Sequence, residues 1–465
     1  MVMYKNKLKK PKNYNFDLII IGSGVAGALA AHLATKEGKK VGLIEALALG
    51  GDNPHFGSIP TGALLKAAKT LREVQSAGQF GIRANAVSFN YQSVQAWKEK
   101  AINATGANNE ASVFRSEGIT LIRGHAHFLS PWCVSVGLKR DCAPKFLIAT
   151  GALTTIPNIP GLVESGYITY RQAVHLPKFP KSLVIIGGGK TAYEFSQIFS
   201  AFGTQVIVME YRDHLLPSED PEVSDSAEAA LSRKGIKVIT SAKIVSVASN
   251  TTRKIIAFEK DDRQHRIAVE EIMVTCGKSP QLDLGLENTG VKYNRVGIHV
   301  NRRMQTNKKH IFAAGEVVSA KTPAHFAAEE GRIAAHNLFR KDKISINIHA
   351  IPHCMYGDPE IAIVGKTERD LIATDEPYQT AIVPIGIIGK SMTNNYTFGF
   401  VKIIATHSGI LLGACIVAPD AVEMISELTF AVAHRHYACA ISNMIHPFPS
   451  YGEAIRIAAS KIKCS

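Results

Sequence analysis

At 465 residues the chain exceeds what one ordinary core organises, and two or three domains are expected. Its 46% hydrophobic and 20% charged residues are the composition of a folded globular protein, which excludes a disordered chain. A net charge of +14 permits anionic partners, but the basic residues are dispersed and form no recognition motif, so nucleic acid is not expected as a partner.

The segment Met1 to Asn15 carries five lysines and no apolar stretch of the kind a secretory signal needs, so a cytoplasmic protein is expected. Phe16 to Ile21 then reads as an apolar strand. It runs into Gly22-Ser23-Gly24-Val25-Ala26-Gly27, a helix to about Lys36, a second strand Val41 to Ile44, and Glu45. This is the order of a dinucleotide-binding βαβ unit. Gly22 permits the tight turn, Gly24 lets a pyrophosphate reach the backbone, and Gly27 lets helix and strand pack closely. The helix start offers free amides and the positive end of its dipole to phosphates. Glu45 follows Gly27 by 45 − 27 = 18 positions, about where a ribose-binding carboxylate belongs. The same three glycines interrupt Leu18 to Ala34, the most apolar window, so no membrane span is expected.

Ile156-Pro157-Asn158-Ile159-Pro160-Gly161 is a proline-punctuated linker. Beyond it the pattern repeats. Leu183 to Ile186 leads to Gly187-Gly188-Gly189-Lys190-Thr191-Ala192, a helix to about Phe202, a strand Val206 to Met209, and Glu210. Ala192 is an allowed small residue at the third glycine position. A carboxylate at Glu210 accepts from both ribose hydroxyls and repels a 2′-phosphate, which favours NAD(H) over NADP(H), although Arg212 stands nearby. The chain recrosses near Gly277 to Gly290. From about Ile344 the texture changes, with Gly399 to Ala405 and Ile410 to Val417 flanking a His407-Ser408-Gly409 turn, then a helix Ala421 to Ala433. This last part reads as an α+β domain.

The seven cysteines contain no C-x-x-C pair and read mostly as small buried apolar residues in a reducing compartment. Cys464, next to last, reads as a frayed tail thiol that, standing singly, could form only an intersubunit or mixed disulfide. His434, His436 and His446 lack an ordered ligand pattern, and no metal site is expected.

The chain resembles the pyridine nucleotide–disulfide oxidoreductases. The resemblance rests on the two ordered fingerprints, Ile148-Ala149-Thr150-Gly151, Gly277-Lys278-Ser279-Pro280, Ile311-Phe312-Ala313-Ala314-Gly315-Glu316-Val317, and Asp358-Pro359-Glu360-Ile361-Ala362-Ile363-Val364-Gly365. It implies an α/β fold with two Rossmann-like domains, for FAD and NAD, and a C-terminal α+β dimerisation domain. The implied boundaries are 1–155 and 283–343 for the FAD domain, 156–282 for the NAD(P) domain and 344–465 for dimerisation. Cofactor contacts are implied at Gly22, Gly24, Gly27, Glu45, Gly51, Ser58, Ala126, Thr150, Gly151, Gly187, Gly189, Glu194, Glu210, Gly277, Gly315, Glu316 and Ala324. A homodimer is implied, each active site being completed by the partner.

The segment Gly50-Gly51-Asp52-Asn53-Pro54-His55-Phe56-Gly57-Ser58-Ile59-Pro60-Thr61-Gly62 departs from that pattern. Asn53 and Ser58 stand where the family carries its redox cysteines, and Gly62 where it carries a lysine beside the flavin. In His446-Pro447-Phe448-Pro449-Ser450-Tyr451-Gly452-Glu453 the family's acid–base histidine is Phe448, while Glu453 is kept. Glu316 replaces an aspartate. An amide and a hydroxyl cannot form a two-electron redox pair, so relay through the usual disulfide is excluded. The expected function is an FAD-dependent oxidoreductase passing hydride from NADH through flavin to an unidentified non-disulfide acceptor, most like the family's soluble pyridine nucleotide transhydrogenases. An NADH:quinone or NADH oxidase activity is a variant of this. A non-catalytic dimeric flavin- and NADH-binding sensor is the rival. Glu194 loses its lysine partner through Gly62 and is expected to be desolvated and unpaired, with Lys190, four residues earlier, supplying the charge. Lys190, Glu194 and Glu453 are the candidate catalytic residues.

Overall fold

The computed structural model describes residues 10–465, so most of the lysine-rich N-terminal segment lies outside the described residues. The chain forms two compact units. The first comprises residues up to 60, 97–155 and 277–346; the second comprises 61–96, 156–276 and 347–465.

The first unit is built on a five-stranded parallel sheet in the order Ile311–Ala313, Phe146–Ile148, Leu18–Ile21, Val41–Glu45, Thr120–Arg123. A parallel sheet covered on both faces has no solvent side, which is why its strands are unbroken apolar runs rather than alternating ones. Leu18, Ile19 and Ile20 are fully buried, each worth about 2 kcal/mol by area. The helix Val25–Lys36 packs on Ala324–Phe339, and the contact is backbone-close because Gly331 faces Ala26. A Cβ on Gly331 would lie 2.3 Å from the Ala26 carbonyl oxygen.

Beside this sheet stands a three-stranded antiparallel one, Ala126–Ser130, Cys133–Val136 and Lys139–Cys142. Its register sets Cys133 opposite Cys142, and the two are joined as a disulfide. This corrects the expectation for the cysteines. Of the other five, only Cys415 is buried; Cys276, Cys354 and Cys439 are half-buried and Cys464 is exposed.

In the second unit a four-stranded parallel sheet runs Lys237–Ile239, Gln205–Met209, Ser182–Ile186, Glu271–Val274, with the helix Lys190–Ala201 following its glycine turn. An antiparallel sheet of Lys243–Ser249, Lys254–Lys260 and Arg263–Val269 accompanies it. The C-terminal part is a five-stranded antiparallel sheet, His353–Met355, Glu360–Gly365, Leu411–Ala418, Phe400–Ala405, Gln379–Pro384. The helix Ala421–Ala433 packs against its middle strands. Among the described residues no helix is long and apolar enough to cross a membrane.

Lys402, on the strand Phe400–Ala405, is fully buried. Its ammonium meets Asp220 at 3.0 Å, Glu222 at 3.3 Å, and Glu368. Those three carboxylates are clustered closely enough to hold a cation, and the lysine is that cation. Burial opposes its charge, but the ion pairs with Glu368 and Asp220 outweigh that and hold the proton more firmly than usual.

Candidate functional site

At the first turn Gly22 has φ +100°, and a Cβ there would stand 2.2 Å from the Ala149 carbonyl oxygen. A Cβ on Gly27 would stand 2.0 Å from the Gly22 carbonyl oxygen. Neither position tolerates a side chain, so strand, turn and helix are locked together. Gly24, by contrast, faces open space and begins the helix Val25–Lys36 with no side chain capping its amides. Uncapped amides above bare glycine backbone fit the pyrophosphate of a dinucleotide. Gly51, at φ +70°, lies against Gly24 and extends the bare backbone.

Glu45 is 8% exposed. Its Oε2 accepts from the Ser23 amide at 2.8 Å and hydroxyl at 2.7 Å, and its Oε1 accepts from the Leu47 amide at 2.6 Å. The second turn repeats this arrangement. Glu210 Oε2 accepts from the Gly188 amide at 2.5 Å and Oε1 from the Arg212 amide at 2.8 Å. Each acid thus fixes the turn after its own glycine and keeps lone pairs for ribose hydroxyls. Gly189 repeats Gly24: open space at the Cβ and an uncapped helix start.

The remaining predicted contacts are placed as follows. Thr150 donates its hydroxyl to the Gln281 carbonyl at 2.8 Å, and Gly151 adopts φ +70°. Gly277 accepts from the Thr155 amide at 2.9 Å, Ala126 is buried at the start of its strand, and Ala324 opens the helix Ala324–Phe339. Gly187 turns at φ +104°. Ser58 is exposed and Asn53 half-buried.

Glu316 is paired with Lys278 at 2.7 Å. Burial raises its proton affinity and the lysine opposes this. Gly315 donates its amide to Glu330 at 2.6 Å. Glu330 is 3% exposed, and burial pushes its carboxyl up to about 7. The sequence marks Lys278 only as part of a motif, without a partner, and does not mark Glu330. The one signal for Glu330 is an acid on the apolar stripe that includes Ala327 and Ala334.

Glu194 is buried as expected, but it is not unpaired. Its Oε1 accepts from the Tyr356 amide at 3.0 Å, and the Lys190 ammonium stands 3.8 Å away. Burial pushes the carboxyl above its ordinary range while Lys190 and the Tyr356 amide oppose it. Lys190 is about half exposed and also lies 5.0 Å from the centre of the Tyr356 ring. The same helix holds the following loop: Tyr193 donates to the Pro359 carbonyl at 2.8 Å, and Gln197 accepts from the Asp358 amide at 2.9 Å. Gly62 leaves open space at its Cβ, in a cleft also lined by Lys66, Arg72, Tyr356 and Asp358.

Glu453, in the first turn of the helix Gly452–Ser460, lies 4.0 Å from Arg456 and keeps one oxygen buried without a hydrogen bond. His446 is bonded to Glu427 at 3.1 Å, and Phe448 is exposed.

Two glycine turns, each with an uncapped helix start and a buried acid, define a protein that holds two dinucleotides. The family model for pyridine nucleotide-disulphide oxidoreductases matches residues 16–331, and that for the family's dimerisation domain matches 351–459. A dihydrolipoyl dehydrogenase of Bacillus subtilis (strain 168) is 32% identical, over 96% of this chain and 97% of its own. A mercuric reductase of Staphylococcus aureus is 28% identical, over 99% and 86%. The solved HOCl-induced flavoprotein disulfide reductase RclA from Escherichia coli superposes with a TM-score of 0.85 at 25% identity, covering 96% of this chain and all of that one. The chain belongs to the pyridine nucleotide-disulphide oxidoreductase family; it is an FAD-dependent oxidoreductase that uses NAD(H) and carries a C-terminal dimerisation domain.

Proposed function

We propose that this enzyme oxidises NADH and passes the electrons to an acceptor that is not a disulfide, in the manner of a soluble pyridine nucleotide transhydrogenase. The observation that carries this is the pair Asn53 and Ser58, which leaves no sulfur at the family's redox positions. FAD, when bound, supplies the two-electron carrier between donor and acceptor. The chain's residues place and tune it. Gly22, Gly24 and the helix start would take the FAD pyrophosphate and Glu45 its adenosine ribose, while Glu316, steadied by Lys278, would bind the ribityl chain. Gly187, Gly189 and Glu210 would take NADH. Lys190 holds a positive charge beside Glu194 where the family lysine is lost. Phe448 at the position of the family's acid–base histidine accords with this, since no thiolate needs reprotonation.

A second nicotinamide, a quinone and dioxygen are the acceptors in order of preference. The working form is a homodimer, in line with the exposed Phe430, Met444, Ile445 and Phe448 on the C-terminal part. A cytoplasmic location belongs to the same reading, since NADH is available there.

An anaerobic titration tests it. NADH should bleach the flavin band, and NADP⁺, a quinone or air should restore it. A bound flavin that NADH leaves oxidised would instead support the non-catalytic sensor. Rapid turnover with lipoamide or glutathione disulfide would refute the non-disulfide acceptor.

A further inference from the structure

The C-terminal tail is not frayed, and Cys464 does not stand singly. Ile462 is buried. Lys463 donates its amide to Gln379 at 3.0 Å and accepts from the same side chain at 2.8 Å. The Ser465 amide reaches the Ser408 carbonyl at 3.4 Å. The tail is thus docked by backbone bonds on both sides of Cys464. The Cys464 sulfur packs on the bare backbone of Gly409, where a Cβ would come within 2.9 Å of it. That sulfur accepts the backbone amide of Cys439 at 3.1 Å, which brings the tail cysteine onto the residue that carries the second thiol. Cys439 is itself fixed, because the next-door Ala438 amide donates to Gly409 at 2.8 Å. Both thiols are free; Cys439 is half-buried and Cys464 exposed.

We propose that Cys439 and Cys464 form a reversible dithiol–disulfide pair, a redox modification site that staples the C-terminal tail to the helix Ala438–Ser442. The oxidant is a low-molecular-weight disulfide of the glutathione class. One protein thiolate attacks it, forming a mixed disulfide and releasing one thiol. The second protein thiolate then displaces the other small thiol, so two protein thiols and one small disulfide become one protein disulfide and two small thiols. The pair differs from the vacant redox positions 53 and 58, and it does not depend on the acceptor proposed above. Closing it encloses Phe448 and Glu453 in a covalent loop. Burial and the neighbouring sulfur raise the proton affinity of Cys464, so the exchange should quicken as pH rises.

The full-length holoenzyme, incubated with glutathione disulfide, alkylated and digested without reduction, tests this. The expected product is one linked peptide pair containing Cys439 and Cys464 within a single subunit, lost on adding excess reduced glutathione. Cys439→Ser should halt the reaction as a stable glutathione adduct on Cys464, whereas Cys354→Ser should leave the yield of the linked pair unchanged. Full alkylation of both thiols after oxidation overturns the proposal. So does a stable glutathione adduct on the unmutated chain, or a link between two subunits.

Discussion

Glu330→Gln isolates the cost of one buried charge. Glu330 is 3% exposed, and it accepts a hydrogen bond from the Gly315 amide. Burial moves its carboxyl from 4.5 to about 7. At about 1.36 kcal/mol per pH unit, ionised Glu330 costs the folded state about 3 kcal/mol. The sign follows from proton binding. Between the two pKa values the native state holds a proton that the unfolded state has released, so stability is full below 4.5 and falls until the pH passes about 7. Glutamine keeps the acceptor for the Gly315 amide and cannot ionise. Urea denaturation of the FAD-saturated enzyme should therefore show the variant gaining on the parent by about 2 to 3 kcal/mol between about pH 5 and about pH 8. A stability gap that does not change with pH would refute the reasoning, because Glu330 would then titrate alike in both states. A variant that is less stable at about pH 8 would show that its charge is compensated.

Two further substitutions address the ion pairs of the second unit. Lys190→Ala should slow flavin reduction by NADH by up to about five-fold in stopped flow, since a pair with one half-exposed partner is worth at most about 1 kcal/mol. An unchanged rate together with an unchanged flavin potential would remove Lys190 from the site. Lys402→Met should cost about 3–5 kcal/mol in denaturant unfolding, because it leaves Asp220 buried beside two further carboxylates with no cation. A loss below about 1 kcal/mol would mean that these acids shed their charge by protonation.

What could be read from sequence is what depends on local spacing. Apolar runs ending in glycine turns mark the parallel strands, because a doubly covered sheet and a close helix crossing leave few other residues admissible. Glu45 and Glu210 are legible for the same reason, as each lies at a fixed distance from its own turn. Lys190 and Glu194, four residues apart on one helix, are legible too, but the long-range pairings that adjust charge are not. Lys278 and Glu316 are 38 positions apart, and Lys402 and Asp220 are 182 apart. Only the tertiary approach of distant segments brings them together. The Cys133–Cys142 disulfide is an intermediate case: two short strands around Gly137 set the cysteines opposite each other, but only the register of the hairpin makes them a pair. The Cys439–Cys464 contact depends on where the tail docks, and no spacing rule announces that.

With Gly62 at the position of the family lysine, the charge of Glu194 is met by its own helix and the loop beside it. A family lysine at position 62 would put positive charge near Glu194 from a different helix. Lys190 instead approaches at 3.8 Å from the same helix and remains half in water, where screening weakens its hold. Glu194 accordingly retains a raised proton affinity even with its partner present. A carboxyl that is more easily protonated removes negative charge from its surroundings without needing a strong cation. The Tyr356 amide helps by donating to the same oxygen. Two weaker devices, an amide and a solvated ammonium, thus stand where one buried ion pair would otherwise be required.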